Sequence, residues 1–258
     1  MTEDEAIELY ASGGSLVGAA LTGAELLHAF LANVDLSYAD LSDAKLCGAN
    51  LWAASLTYAN LAQAELSNAH LGIAKLVCTN LMGADLSRAD LISADLTGAD
   101  LTGANLTRAR LRWADLTGAD LTGADLTSTD LTSAELAGAN LSRTSLVGAD
   151  LNNASLIRTD LSFSRLIRAQ LAYSNINEAN LSNCVLVRAN LTGTNLTGAD
   201  LRGADLSYAD LTDTNFKDAN LTGADLSFAY LTCAKLDEAD LTEAIMGGQV
   251  RRYGKKSQ

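Results

Sequence analysis

The sequence predicts an all-β solenoid in which the chain bends once every five residues and stacks coil upon coil. Starting at Leu16 and stepping by five, 44 of the 46 positions as far as position 241 are leucine. The residue two places before each of them is small, and in most units it is alanine. Proline is absent from all 258 residues, which leaves little room for irregular loops.

A period of five fits neither regular secondary structure. Five residues of an α-helix turn through about 500°, so successive leucines would spiral around the helix axis. In a flat strand the side chains alternate, so leucines five apart would point to opposite faces. A chain that turns a corner after each short extended segment can keep both the central leucine and the small residue two places before it inside. Glycine accepts the positive φ of such a corner, and 14 of the 20 glycines follow a central position by two residues.

The repeating unit is Ala-Asp-Leu-Thr-Gly, found without change at 94–98, 99–103, 114–118 and 119–123. From residue 16 to about residue 246 the chain resembles the pentapeptide-repeat family. It looks most like cyanobacterial members, with the quinolone-resistance group as more distant relatives. The resemblance implies a right-handed, quadrilateral β-helix with four pentapeptides per coil and with leucine and alanine stacked inside.

Sorting the central positions in steps of twenty gives four faces, A (from Leu16), B (from Leu21), C (from Leu26) and D (from Leu31). On face B the residue before the central position is Asp or Asn without interruption from position 40 to position 240. The other faces interrupt that pattern with basic or apolar residues. This sorting supports twenty residues per coil independently, and it predicts about twelve coils, each ~4.8 Å from the next.

Three segments are predicted: a capping α-helix in residues 1–14, the β-helix in 15–246, and a basic C-terminal tail in 247–258. Thr2 and Glu5 have the spacing of a helix capping box. An open solenoid end is a sheet edge that needs cover, and the tail offers few apolar residues for it. We therefore expect the C-terminal coil to be a homodimer contact.

The sequence contains no motif for chemistry, and we expect no catalytic, cofactor-binding or metal-binding residues. A core filled by leucine leaves no concave site for a substrate. The net charge of −13 argues against direct nucleic-acid binding, and no apolar run approaches the ~20 residues of a membrane span. The four isolated cysteines are typical of reduced thiols in a cytoplasmic protein.

Function is therefore expected on the surface, as a non-catalytic scaffold for a partner protein whose identity the sequence does not give. Exposed arginine and tryptophan are residue types that anchor interfaces. The candidate protein-binding patch consists of Arg88, Arg108, Arg110, Arg112 and Trp113. The alternative interpretation is structural: Arg110 pairs with Asp90 and Asp130 on adjacent coils, and Trp113 covers its neighbours.

The acidic ladder of face B supports a second function, mimicry of DNA by regularly spaced carboxylates. Its members are Asp40, Asp100, Asp120, Asp160, Asp200 and Asp240. Resemblance to the quinolone-resistance group implies a type II topoisomerase (gyrase), or another DNA-binding protein, as the target. The alternative is that these side chains support the turns by bonding to the backbone.

Overall fold

The computed structural model describes residues 15–248. The predicted capping helix of residues 1–14, and the tail from residue 249 onward, lie outside the described residues. Within 15–248 the backbone is a regular series of one-residue parallel β-bridges separated by two-residue turns. This range contains no helix and no strand longer than a single bridge residue. None of its segments is a helix long and apolar enough to cross a membrane.

Each bridge joins a residue to the residue twenty positions later, from Ala20↔Asp40 to Asp225↔Ile245. Two backbone hydrogen bonds form each contact. On face B, Leu41 N–H donates to Asn60 O at 2.7 Å, and Asn60 N–H donates to Ala39 O at 2.9 Å. The predicted twenty-residue register is therefore confirmed. The quadrilateral cross-section and the number of coils stay predictions.

A β-turn follows every central residue. In the turn after Leu101, for example, Ala104 N–H donates to the Leu101 carbonyl oxygen at 3.0 Å. The third turn residue always has a positive φ, between 51° and 69°, as a type II turn requires. Glycine holds 15 of these corners and 32 carry a side chain, although the left-handed conformation costs an L-residue about 1–2 kcal/mol. The stacked coils hold these corners in place.

The core is one continuous column of central leucines and inward alanines, and from Leu21 to Ala229 each of them is no more than 6% exposed. Ile176 and Phe216 replace leucine in this column and are equally buried. In the last coil Leu231, Leu236 and Leu241 are only partly buried. The C-terminal end of the core is thus less covered than its middle.

Inward polar side chains replace some of the alanines, and each donates a hydrogen bond to a leucine carbonyl. Thr79 Oγ1 donates to Leu56 O at 2.7 Å, one coil earlier. Cys184 Sγ donates in the same way to Leu161 O at 2.7 Å. The others that do so are Thr129, Thr144, Thr159, Ser164, Ser174, Thr194 and Thr214. The core therefore accepts polar groups without leaving their donors unpaired.

Candidate functional site

The structure divides the predicted protein-binding patch between two faces. Arg110, Arg112 and Trp113 belong to the face D segment of one coil. Arg88 and Arg108 hold successive corners at the end of face C, on the border with face D. The two groups have different surroundings and need separate descriptions.

On face D, two arginines each approach a carboxylate of an adjacent coil. Arg110 Nη1 lies 3.3 Å from Asp90 Oδ2, so the predicted Arg110–Asp90 contact is present. The predicted Arg110–Asp130 pair is wrong, because the basic group that faces Asp130 is Arg112, whose Nε lies 3.8 Å from Asp130 Oδ2. That separation is too long for a hydrogen bond, and Arg112 Nε is buried without an acceptor among the described residues.

Arg112 also contacts an aromatic ring, since its Cζ lies 4.9 Å from the ring centre of Trp113. This is a cation–π distance. The indole itself is 58% exposed. Arg112 and Trp113 therefore form one unit that presents both an aromatic surface and a cation to the solvent.

The first coils of face D carry exposed apolar side chains that the sequence-based patch did not include. Phe30 is 79% exposed, Trp52 49% and Ile73 46%. The Trp52 indole lies against Gly72, where a Cβ would be 3.2 Å from the indole Cδ1. Sorting outward side chains by size in steps of twenty would have found this signal in the sequence. We call the set Phe30, Trp52, Ile73, Arg112 and Trp113 the face D patch.

Arg88 and Arg108 line a groove on face C of about 490 Å³. Its lining includes four hydroxyl side chains of successive coils: Ser67, Ser87, Thr107 and Thr127. Asn68, Asp85, Asn105 and Ser128 complete the lining. We call this the face C groove.

The six aspartates of the predicted acidic ladder all support turns. Each accepts a hydrogen bond on Oδ1 from the backbone N–H two residues later, at 2.9–3.2 Å: Asp40, Asp100, Asp120, Asp160, Asp200 and Asp240. Asn side chains of the next coil add to this, as where Asn60 Nδ2 donates to Asp40 Oδ1 at 2.9 Å. One carboxylate oxygen of each aspartate is therefore hydrogen-bonded within its own turn. This agrees with the alternative interpretation, in which these side chains support the turns.

Three of these carboxyl groups have pKa values below the usual range for aspartate. Hydrogen bonds from the hydroxyls of Ser42 and Thr22 lower the pKa of Asp40. The Thr242 hydroxyl and N–H lower the pKa of Asp240. The guanidinium of Arg202, whose Nη2 lies 2.6 Å from Asp200 Oδ2, lowers the pKa of Asp200. This last pair also breaks the negative surface of face B with a cation.

Neither face offers a metal or thiol centre. In residues 15–248 no group of three or more His, Cys, Asp or Glu side chains could hold a metal ion. The four cysteines are free: Cys184 is buried, Cys47 half-buried, and Cys78 and Cys233 exposed. What the arrangement offers chemically is binding through aromatic, guanidinium and hydroxyl groups.

Comparisons with solved structures find similarity to several pentapeptide repeat proteins. HetL, a pentapeptide repeat protein involved in heterocyst differentiation regulation in the cyanobacterium Nostoc sp., is 37% identical; the match covers 95% of this chain and 97% of HetL, with a TM-score of 0.40. QnrB1, a plasmid-mediated fluoroquinolone resistance protein, is 21% identical over 70% of this chain and 86% of its own, with a TM-score of 0.33. A pentapeptide repeat protein from the Arabidopsis thaliana thylakoid lumen is 28% identical over 52% of this chain and 65% of its own, with a TM-score of 0.26. A search of curated proteins finds no match.

The family model for pentapeptide repeats matches eight overlapping stretches, at residues 15–52, 39–72, 64–103, 94–132, 104–143, 134–171, 164–203 and 209–248. Together these matches cover most of the chain, including both predicted binding surfaces. The chain therefore belongs to the pentapeptide-repeat family, whose fold is the right-handed β-helix that the resemblance implies.

Proposed function

We propose that this chain is a non-catalytic rod that binds a partner protein through the face D patch. One observation carries the proposal: two indoles, a phenyl ring and an isoleucine are exposed on the same face within its first five coils. Contiguous exposed apolar groups mark interaction surfaces on proteins that are otherwise polar outside. Tryptophan and arginine are also among the residue types enriched at the positions that dominate binding energy.

The charges around the patch favour an apolar partner segment flanked by carboxylates. Arg88 and Arg108 stand at the border of face D, and neither pairs with an acid within residues 15–248. Arg112 reaches Asp130 only at 3.8 Å. In a chain of net charge −13, these arginines lower the repulsion that an acidic partner meets at this border.

Affinity capture from a native lysate with matched variants tests this proposal. The test variant is Arg112→Ala/Trp113→Ala. The control variant is Arg158→Ala/Tyr173→Ala, which also removes one arginine and one aromatic ring. Both control residues are well exposed, Tyr173 at 69% and the Arg158 side chain at 72%.

A protein that is retained by wild type and control, and lost from the test variant, supports the proposal. Retention of every captured protein by the test variant overturns it. An acidic, apolar binding segment in the captured protein, mapped by truncation, supports the proposed partner chemistry.

DNA mimicry is the second candidate, and one local feature favours it. Asp100 and Asp120 are bridge partners on adjacent coils of face B, and each accepts a backbone hydrogen bond on Oδ1. The corners that follow them, at 103 and 123, are glycines and add no side chain to this surface. A gyrase supercoiling assay tests this candidate: inhibition that Asp100→Asn/Asp120→Asn relieves supports it, and no inhibition at stoichiometric excess rejects it.

Two further elements of the proposal concern assembly and location. The partly buried Leu231, Leu236 and Leu241 support a homodimer through the C-terminal coil, and a monomeric mass in dilute solution would reject it. The free cysteines support a reducing, cytoplasmic location.

A further inference from the structure

We propose that the face C groove binds a phosphate group, held by Arg88 and Arg108. The inference goes beyond the proposed function, which uses Arg88 and Arg108 only as positive charges at the border of the face D patch and assigns the groove no ligand. The groove has about 490 Å³ of space, and each of the ten residues that line it is polar.

The first argument is the state of the two arginines. Arg88 and Arg108 occupy equivalent corners of adjacent coils, so their backbones are ~4.8 Å apart. Among residues 15–248 neither guanidinium has an ion pair, a hydrogen bond or an aromatic partner. Two unpaired like charges this close repel each other. An anion placed between them converts the repulsion into two attractions.

The second argument is the local charge. The lining contains two guanidinium groups against the single carboxylate of Asp85. That carboxylate is already engaged, since its Oδ1 accepts hydrogen bonds from Asn105 Nδ2 at 2.9 Å and from Ser87 N–H at 3.0 Å. The groove is therefore locally positive in a chain whose net charge is −13.

The third argument is the supply of neutral donors. Ser87 and Thr107 also line the groove, and neither hydroxyl makes a hydrogen bond within the described range. Arginine forks bind phosphate oxygens in a bidentate manner, and Ser or Thr hydroxyls complete such sites. Phosphate has enough acceptor oxygens to use both guanidinium groups and a hydroxyl at once.

The same phosphate chemistry has two sources, free phosphate or a phosphorylated side chain of a partner protein. Calorimetric titration of the full chain distinguishes them. The probes are inorganic phosphate, a phosphoserine peptide and the same peptide with glutamate in place of phosphoserine. Salt is kept at about 10 mM, where the Debye length is ~30 Å and weak ionic binding is not screened.

Arg88→Gln/Arg108→Gln is the test variant, and Arg168→Gln/Arg188→Gln is the matched control, because it also removes two arginines from successive corners of face C. Arg168 and Arg188 both lie outside the groove lining. We expect saturable binding of phosphate or phosphopeptide to weaken at least about tenfold in the test variant, and to stay within about twofold of wild type in the control. Tighter binding of the peptide identifies a protein-borne phosphate; tighter binding of the ion identifies a free one.

Three results would overturn the proposal: no saturable binding of either phosphate probe, equal losses in test and control variants, or glutamate peptide binding as tight as that of the phosphopeptide. Unchanged far-ultraviolet circular dichroism shows that the variants are folded. Phosphate binding that persists in Arg112→Ala/Trp113→Ala separates this site from the face D patch.

Discussion

The indole of Trp52 lies so close to Gly72 on the next coil that a Cβ at position 72 would be 3.2 Å from its Cδ1 and 3.6 Å from its Nε1. Gly72 is the second residue of its turn and does not have a positive φ, so the backbone does not require glycine there. Glycine at position 72 is explained by the space that the Trp52 indole occupies. The Trp52–Gly72 contact thus fixes one anchor of the face D patch.

Replacing Gly72 with alanine should move the indole by a few tenths of an ångström without unfolding the protein. The change should cost less than about 1 kcal/mol, because a half-exposed ring can shift. Trp113→Phe leaves Trp52 as the sole tryptophan, so its fluorescence reports the movement. In that background Gly72→Ala should shift the emission of Trp52, whereas Thr212→Ala, at the equivalent turn position far along face D, should not. An identical spectrum for Gly72→Ala would contradict the contact.

The inward Thr79 hydroxyl should contribute measurably to stability. Thr79→Val keeps the side-chain volume and removes the hydrogen bond to Leu56 O. Leu56 O still accepts a hydrogen bond from Ala59 N–H at 2.9 Å, so the carbonyl oxygen keeps one donor in the valine variant. The expected loss is therefore modest, about 0.5–1 kcal/mol.

Urea denaturation measures this loss. Thr79→Ser keeps the hydroxyl and should unfold closer to wild type than Thr79→Val does. A valine variant as stable as wild type would show that the hydrogen bond contributes nothing.

The sequence predicts the backbone register because spacing along the chain translates directly into spacing between coils. Leu16 and its successors fix the inward column, and Asp or Asn before them fixes the turn bonds, as Asp100 and Thr102 N–H illustrate. Both relations are local in sequence. Any chain with this period must repeat them.

The surface could be predicted only in part, because it depends on side-chain conformations between coils. The sequence places Arg110 and Arg112 near Asp130, but the direction of each long side chain decides which one faces that carboxylate. The face C groove is formed by side chains of four successive coils, and no single repeat reveals it. The terminal segments have no repeat at all, so the five-residue period says nothing about them.

Acid should destabilise the fold in a defined pH range. The folded-state pKa values of Asp35, Asp40 and Asp240 lie below the usual value because neighbouring hydroxyls and N–H groups bond to the carboxylates. Such groups stabilise the fold fully above their unfolded pKa of about 3.9. That contribution is lost as the pH falls through the lower folded value.

The melting temperature should therefore be level from about pH 7 to pH 5 and fall below about pH 4. Asp40→Asn removes one of the responsible carboxylates and should make the fall shallower. Asp213→Asn is the control, because the Asp213 side chain makes no hydrogen bond within residues 15–248. Equal acid transitions in wild type and Asp40→Asn would show that the turn bonds do not carry the effect.

Cysteine reactivity should follow burial. Desolvation inside the core raises the pKa of Cys184 to about 11, so almost no thiolate forms at pH 8, near the ordinary thiol pKa. Iodoacetamide should then modify the exposed Cys78 and Cys233 of the native protein within minutes and leave Cys184 intact. Mass spectrometry of the peptides measures this, and labelling after unfolding is the control. Rapid native labelling of Cys184 would contradict its place in the core.

Ile73 links stability to the proposed partner binding. It holds a corner with φ of 51°, a conformation that a β-branched residue rarely adopts. Its side chain is 46% exposed, so burial offsets only part of this strain. Ile73→Gly should therefore stabilise the protein by up to about 1 kcal/mol, which is the relief of left-handed strain less the lost burial and the backbone entropy of glycine.

The matched control is Ile157→Gly. Ile157 is also on the outside, but it holds the second turn position, where φ is not positive. Glycine there should destabilise the fold by about 0.5–1 kcal/mol. If instead both glycine variants change stability in the same direction, corner strain is not the cause.

Ile73→Gly should also weaken capture of the partner protein, because it removes an apolar group from the face D patch. A variant that melts at a higher temperature and binds less well separates the two roles of this residue. Such a result would assign Ile73 a role in binding that its contribution to stability does not explain. If Ile73→Gly raises the melting temperature and captures the partner as well as wild type does, Ile73 is not part of the binding surface.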